Sequence, residues 1–179
     1  MRPRDIIEFI NLCIQKVSVD SGVITEEAVL DAELTYSHDR LDSLAYEWFT
    51  DYLGLKSWTS ILRKQPQILS LTSINDDALI DKCIEYVARP APSEVDSEDI
   101  IHKMAVDVVE NRLGLELFKR QLVHVFYKLS IVGLRLEGER NVSWSGVQGR
   151  SLIWQDIEDD TDIYIHPCYV SALRVQATA

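Results

Sequence analysis

Phe126-Tyr127-Lys128-Leu129-Ser130-Ile131-Val132-Gly133-Leu134-Arg135-Leu136 is where the chain passes from one periodicity to another. Upstream of Ser130, the residues Leu115, Phe118, Leu122, Val125, Phe126 and Leu129 recur at helical spacing. They predict a helix from Leu115 to Ser130 with one apolar face. Downstream, Ile131 to Leu136 predicts a strand. Gly138 and Asn141 suit a turn, and Val142-Ser143-Trp144 predicts the returning strand of a hairpin. Gly146 and Gly149 mark a loop. From Asp162 to His166 the chain alternates, with Ile163 and Ile165 against Tyr164 and His166, as a half-buried last strand does. Pro167 opens a short helix carrying Tyr169, Val170, Ala172 and Leu173.

Everything before this stretch reads as helix. Ser97 to Leu113 predicts a helix burying Ile100, Ile101, Met104, Val108 and Leu113, with Gly114 as the break before the next. Arg89-Pro90-Ala91-Pro92-Ser93 is the clearest linker, because each proline disfavours helix at and before itself. Asn75 suits an N-cap, with Ile74 stapled to Leu79 and with Leu79, Ile80, Cys83, Ile84 and Val87 inward. A shorter helix covers Trp58 to Lys64, with Ile61 and Leu62 inward and Pro66 ending or bending it. From Glu26 to about Tyr52 there is neither Pro nor Gly. One long helix is predicted there, capped by Thr25, striped by Leu41, Leu44, Ala45, Trp48 and Tyr52, and ended by Gly54. Its stripe drifts near Ser37-His38, which allows a break. Asp20-Ser21-Gly22 separates it from a first helix beginning Arg2-Pro3-Arg4-Asp5, whose apolar face is Ile6, Ile10, Cys13 and Val17. The fold class is therefore mainly α, with a small antiparallel hairpin or sheet near the C-terminus.

The 179 residues suffice for one domain or two small ones. A net charge of −11 disfavours non-specific attraction to nucleic acid or anionic membrane. No apolar run approaches the roughly 20 residues needed to span a bilayer, and no signal peptide is visible. Cys13, Cys83 and Cys168 are scattered and odd in number, as reduced thiols of a cytoplasmic protein are.

Chemistry is sparse. Gly146-Val147-Gln148-Gly149-Arg150-Ser151 has glycines but neither the spacing nor the lysine of a phosphate loop. The histidines His38, His102, His124 and His166 lack metal-ligand spacing, so no metal is expected. Asp156, Glu158, Asp159, Asp160 and Asp162 lack the Gly and distal Glu of a calcium loop and read as a solvated turn. No nucleophile motif is present. Two sets of residues remain. Arg2 and Arg4 sit at a helix N-terminus, where cations are disfavoured unless an anion binds there. Arg120, His124 and Lys128 fall at i, i+4 and i+8, opposite the apolar face of their helix, and Arg135, Arg140 and Arg150 follow. Between Leu115 and Arg150 six Lys or Arg stand against three acids, which sets this stretch apart from an acidic chain.

The Arg-Pro-Arg-Asp start, its apolar helix and Asn11 resemble the small helical lid of bacterial P-loop ATPases of the AAA+/STAND type. Phe126 to Gly133 resembles the corresponding stretch of that family, where Gly is usual at the position of Ser130. Ile165-His166-Pro167 followed by Ala172-Leu173 matches how those C-terminal regions close. The helix before Ile131 and the hairpin after it look like the third helix and wing of a winged helix. The resemblance implies a helical lid-like segment over residues 1–54 and a winged-helix-like domain over 55–179, with 97–113 as a possible helical insertion. It implies that a nucleotide-binding core holding ATP and Mg precedes Arg2, and that this chain needs no cofactor and is no enzyme alone. The chain would be a regulatory C-terminal module that couples nucleotide state to an unidentified protein partner. Arg2 and Arg4 would sense nucleotide in the intact protein, Arg4 foremost, with Asp5 orienting it. The alternative is a DNA-binding winged helix using Arg120, His124, Lys128, Arg135 and Arg140.

Overall fold

The computed structural model describes residues 3–17, 22–88, 99–146 and 151–176, with side chains from Asp5 onward. Arg2, the linker 89–93, the start of the helix expected from Ser97, and Arg150 lie outside the described residues. The described chain is mainly helical, with seven α-helices and a small three-stranded antiparallel sheet. Among the described residues no helix is long and apolar enough to cross a membrane.

Helix α1 spans Pro3–Gln15 and α2 spans Glu26–Glu47. Thr25 caps α2 by accepting a hydrogen bond from the Ala28 N–H at 3.2 Å. The two helices pack on each other, with Ala28 and Ala32 buried and Phe9 edge-on to Tyr36 at 5.7 Å. The apolar face expected on α1 is only partly covered. Cys13 is buried, but Ile6 and Ile10 are 45% and 47% exposed, beside the still more exposed Ile7 and Ile14. A single neighbour, α2, cannot cover so wide an apolar face.

No break occurs in α2 at Ser37-His38, because both residues are held in helix. The His38 Nδ1–H donates to the Leu34 carbonyl at 2.9 Å, and the buried Ser37 hydroxyl accepts from the Ala172 N–H at 2.9 Å. The drift in the apolar stripe has a cause. From Glu33 onward α2 meets the C-terminal turn as well as α1, so its buried side widens and shifts along its length. The helix ends at Glu47, and Gly54 instead precedes α3 (Leu55–Trp58). Gly54 is needed for close approach, since a Cβ there would lie 2.0 Å from the Tyr86 hydroxyl.

A 3-10 turn (Thr59–Leu62) follows α3, and then β1 (Ile68–Ser70), a strand the periodicity did not reveal because three residues are too few to alternate. Helix α4 spans Asp76–Val87, its N-cap Asn75 accepting from the Ala78 N–H at 2.8 Å. Ile80 and Ile84, expected inward, are exposed. Helix α5 spans Ile100–Val109 and buries Ile101 and Ala105, while Ile100 is exposed. It ends in a left-handed turn at Asn111 rather than at Gly114, with Arg112 N–H on the Asp107 carbonyl and Asn111 N–H on the Val108 carbonyl.

Helix α6 spans Leu115–Lys128 and buries Phe118, Leu122, Val125 and Phe126. Ser130 then takes φ +57°, with Ile131 N–H on the Phe126 carbonyl and Ser130 N–H on the Tyr127 carbonyl, both at 2.9 Å. This is the left-handed helix stop that favours glycine.

Strand β2 (Val132–Arg135) pairs with β3 (Asp162–Ile165), which pairs in turn with β1, giving the order β1–β3–β2. Ile163 and Ile165 point inward as expected. The hairpin expected with Val142-Ser143-Trp144 shrinks to one bridge, Leu134 with Ser143. Two contacts draw that stretch off β2 towards α6. Ser143 Oγ meets Tyr127 Oη at 3.0 Å, and Ser145 Oγ donates to the Lys128 carbonyl at 3.0 Å. After β3, a 3-10 turn (Pro167–Tyr169) leads into α7 (Val170–Leu173). The core lies between the sheet and α3, α4, α5 and α6, with Trp58 fully buried and edge-on to both Tyr86 and Phe118.

Candidate functional site

The first turn of α1 and the residue after β3 line one cavity. Asp5 is buried, at 6% exposure, although a carboxylate in the first turn of a helix would be favourable in water too. It lines a cavity of about 640 Å³ with Tyr36 and Arg40 of α2, Lys128 at the end of α6, Trp144, and His166 beyond β3. Two further contacts fasten α2 to the C-terminal turn. They are the Ser37–Ala172 hydrogen bond and a 3.0 Å bond from the Ser171 hydroxyl to Glu33 Oε1.

His166, Cys168 and Tyr169 line one side of the cavity. His166 Nδ1 accepts from the Cys168 N–H at 3.2 Å and lies 2.9 Å from the Cys168 sulfur, while Trp144 packs edge-on to the imidazole at 5.0 Å. Burial pushes the Cys168 thiol up to about 11, so it is protonated at neutral pH and a poor nucleophile. Burial likewise raises the Tyr169 phenol, with Cys168 beside it adding to the effect. His166 is lowered by burial and by the nearby Arg40 guanidinium, and is neutral at physiological pH. Among the described residues no three His, Cys, Asp or Glu side chains are placed to hold a metal ion.

The second candidate face, on α6, is occupied by the chain itself. Residues 151–161 run across it. Leu152, Ile157 and Thr161 are buried, His124 Nε2–H donates to the Leu152 carbonyl at 3.0 Å, and Arg120 Nη2 pairs with Asp159 Oδ1 at 3.1 Å. Arg120 and His124 are therefore only partly exposed, while Glu158, Asp159 and Asp160 stay exposed, as expected of a solvated turn, behind the buried Leu152 and Ile157 that precede them. Arg135 Nε donates to Asp162 Oδ2 at 2.9 Å, and its guanidinium lies 5.3 Å from the Tyr164 ring centroid. Lys128 and Arg140 are exposed. Lys119, counted in the basic excess, is buried against Glu116 and Asp76. Arg4 lies in the first turn of α1, directly before the buried Asp5. The sequence did not single out Leu152 or Ile157. Their apolar type, just ahead of the acidic run Glu158-Asp159-Asp160, was the available signal.

His124 is also lowered, chiefly by burial, which outweighs its hydrogen bond to Leu152, with Lys128 adding a like charge. A histidine whose folded pKa is depressed contributes stability that is complete above its ordinary value of 6.5 and lost as pH falls below it. Stability is expected to decline between about pH 7 and pH 5, and His124→Gln with His166→Gln to flatten that decline. Urea denaturation at the two pH values measures it. An equal slope in both proteins would contradict the assignment.

Residues 1–45 match a family model described as the FunZ-associated C-terminal helical domain. The matched stretch contains α1 and nearly all of α2. No curated protein and no solved structure matches the chain.

Proposed function

We propose that this chain is a non-catalytic C-terminal accessory module of a larger P-loop ATPase, and that its α1–α2 pair transmits nucleotide state to the body of the module. The observation that carries the reading is the junction at Asp5. Asp5, in the helix opened by Arg-Pro-Arg-Asp, is buried and lines the same cavity as His166 beyond β3, which sets the helix mouth beside the C-terminal turn. The match to a C-terminal helical domain over the same two helices supports an accessory role in a larger protein. So does the row Ile6, Ile7, Ile10 and Ile14, an apolar face of the kind a preceding domain covers.

In this reading Arg4 and Arg2 reach the phosphates of ATP held with Mg by the preceding core. A guanidinium suits that task because it is permanently charged and binds phosphate oxygens bidentately. The body is winged-helix-like, with α6 as the helix before the wing, the turn closed by the Leu134–Ser143 bridge as the wing and α5 within the possible insertion 97–113. DNA reading, the alternative, needs the α6 face free. With Arg120, His124 and Arg135 engaged internally, Lys128 and Arg140 alone of the five expected contacts are exposed.

The reading frame upstream of Met1 should encode a phosphate-binding loop. The chain alone is expected neither to hydrolyse ATP nor to bind it tightly. A malachite-green assay on the purified chain checks this. Turnover above background that disappears on a substitution within these 179 residues would overturn the proposal.

A further inference from the structure

The first turns of α2 carry large apolar side chains exposed to solvent. Ala28 and Ala32 bury one side of it against α1, and contact with the body begins near Glu33, which holds Ser171. Leu30 and Leu34, one turn apart, are 58% and 50% exposed, and Ile24 just before the helix is 45% exposed. At about 100° per residue the two leucines form one strip. Glu26 falls on one flank of that strip, and Glu27 and Asp31 on the other, all three exposed. Between residues 1 and 47 the sequence carries ten Asp or Glu against four Lys or Arg.

We infer that this strip is a docking face for a protein helix whose own apolar stripe is flanked by Lys or Arg. Charge selects that occupant. A second copy of the chain would bring acidic flanks together, and like charges across an interface oppose association. Anionic membrane and nucleic acid are repelled by the same groups. A basic amphipathic helix buries Leu30 and Leu34 and meets Glu26, Glu27 and Asp31 at the rim, the apolar-core and charged-rim arrangement by which helices dock in grooves. The inference needs no nucleotide and is tested on the chain alone, so it stands or falls separately from coupling to an ATPase.

The probe is a fluorescein-labelled synthetic helix with a leucine stripe and lysine flanks, and its twin with glutamate flanks, titrated with the full chain by anisotropy at about 150 mM salt, where screening acts within about 8 Å. The lysine probe is expected to bind saturably and the glutamate probe at least about tenfold more weakly. Leu30→Asp with Leu34→Asp should weaken the lysine probe at least about tenfold. Both leucines are at least half exposed, so the circular dichroism spectrum should not change. Glu27→Lys with Asp31→Lys should shift preference towards the glutamate probe, which keeps the test decisive if the leucine variant misfolds. Equal affinity of wild type and a folded leucine variant would reduce the binding to bulk charge and overturn the inference. Unsaturable binding, or self-association of the chain lost in the leucine variant, would overturn it as well.

Discussion

Trp58→Ala should lower the unfolding free energy by about 3–5 kcal/mol, the range for deleting a fully buried large aromatic. Trp58 is fully buried at the end of α3, with ring centroids of Tyr86 and Phe118 at 5.1 and 5.6 Å. These contacts tie α3 to α4 and α6, so the loss is not local. Trp58→Phe should cost under about 1.5 kcal/mol, because it keeps an aromatic ring against both partners. It also removes the indole Nε1–H, which is buried with no hydrogen-bond partner among the described residues. Such an orphan donor costs about 1–3 kcal/mol, and its removal offsets the lost volume. Urea denaturation of the three proteins measures the difference. Equal losses for Ala and Phe would contradict the claim that an aromatic ring against Tyr86 and Phe118 is what the core requires at this position.

The second large effect concerns Lys119. Its side chain is 3% exposed, with Nζ 3.1 Å from Glu116 Oε1 and in an ion pair with Asp76 at the start of α4. Burial works against the ammonium, but hydrogen bonds to Asp76 and Glu116 outweigh it and the pKa is raised. A lysine with a raised folded pKa contributes stability that is complete below its ordinary 10.5 and lost as pH rises through the folded value. Removing both acids, by Asp76→Asn with Glu116→Gln, strands a charge in the interior. Breaking a buried pair costs about 3–5 kcal/mol, and the lower end applies here because both carboxylates are more than half exposed and water reaches them. Lys119→Met should be close to neutral, since it removes the charge that needs satisfying. Thermal unfolding at neutral pH checks the order. A lysine replacement as damaging as the double acid replacement would contradict it.

The helices were legible wherever a long apolar period met a recognisable cap, as at Thr25 and Asn75. The last strand was legible because Ile163 and Ile165 alternate with Tyr164 and His166. What escaped were features set by distant parts of the chain. β1 exists because β3 supplies its partner, and three residues carry no period of their own. The hairpin failed because Ser143 and Ser145 bind α6, a competition invisible in local pattern. Ile6 and Ile10 show the same limit in reverse, since periodicity marks an apolar face without saying what covers it. At the candidate site, helical spacing put Arg120, His124 and Lys128 on one side of α6. The cover over that side comes from residues 151–161, about 30 positions later. Asp5 was noticed as a neighbour of Arg4, but its burial in a cavity shared with His166 depends on the packing of α1 against α2 and the C-terminal turn.

The central claim is that the mouth of α1 reads nucleotide and passes its state to the module. Its most direct test is Arg4→Ala in the intact protein, with ATP affinity and turnover measured beside the wild type. A charge-assisted phosphate contact contributes about 1.5–3 kcal/mol, so affinity or turnover should fall at least about tenfold while the melting temperature holds. Unchanged turnover and unchanged nucleotide affinity in a folded Arg4→Ala protein would contradict the account.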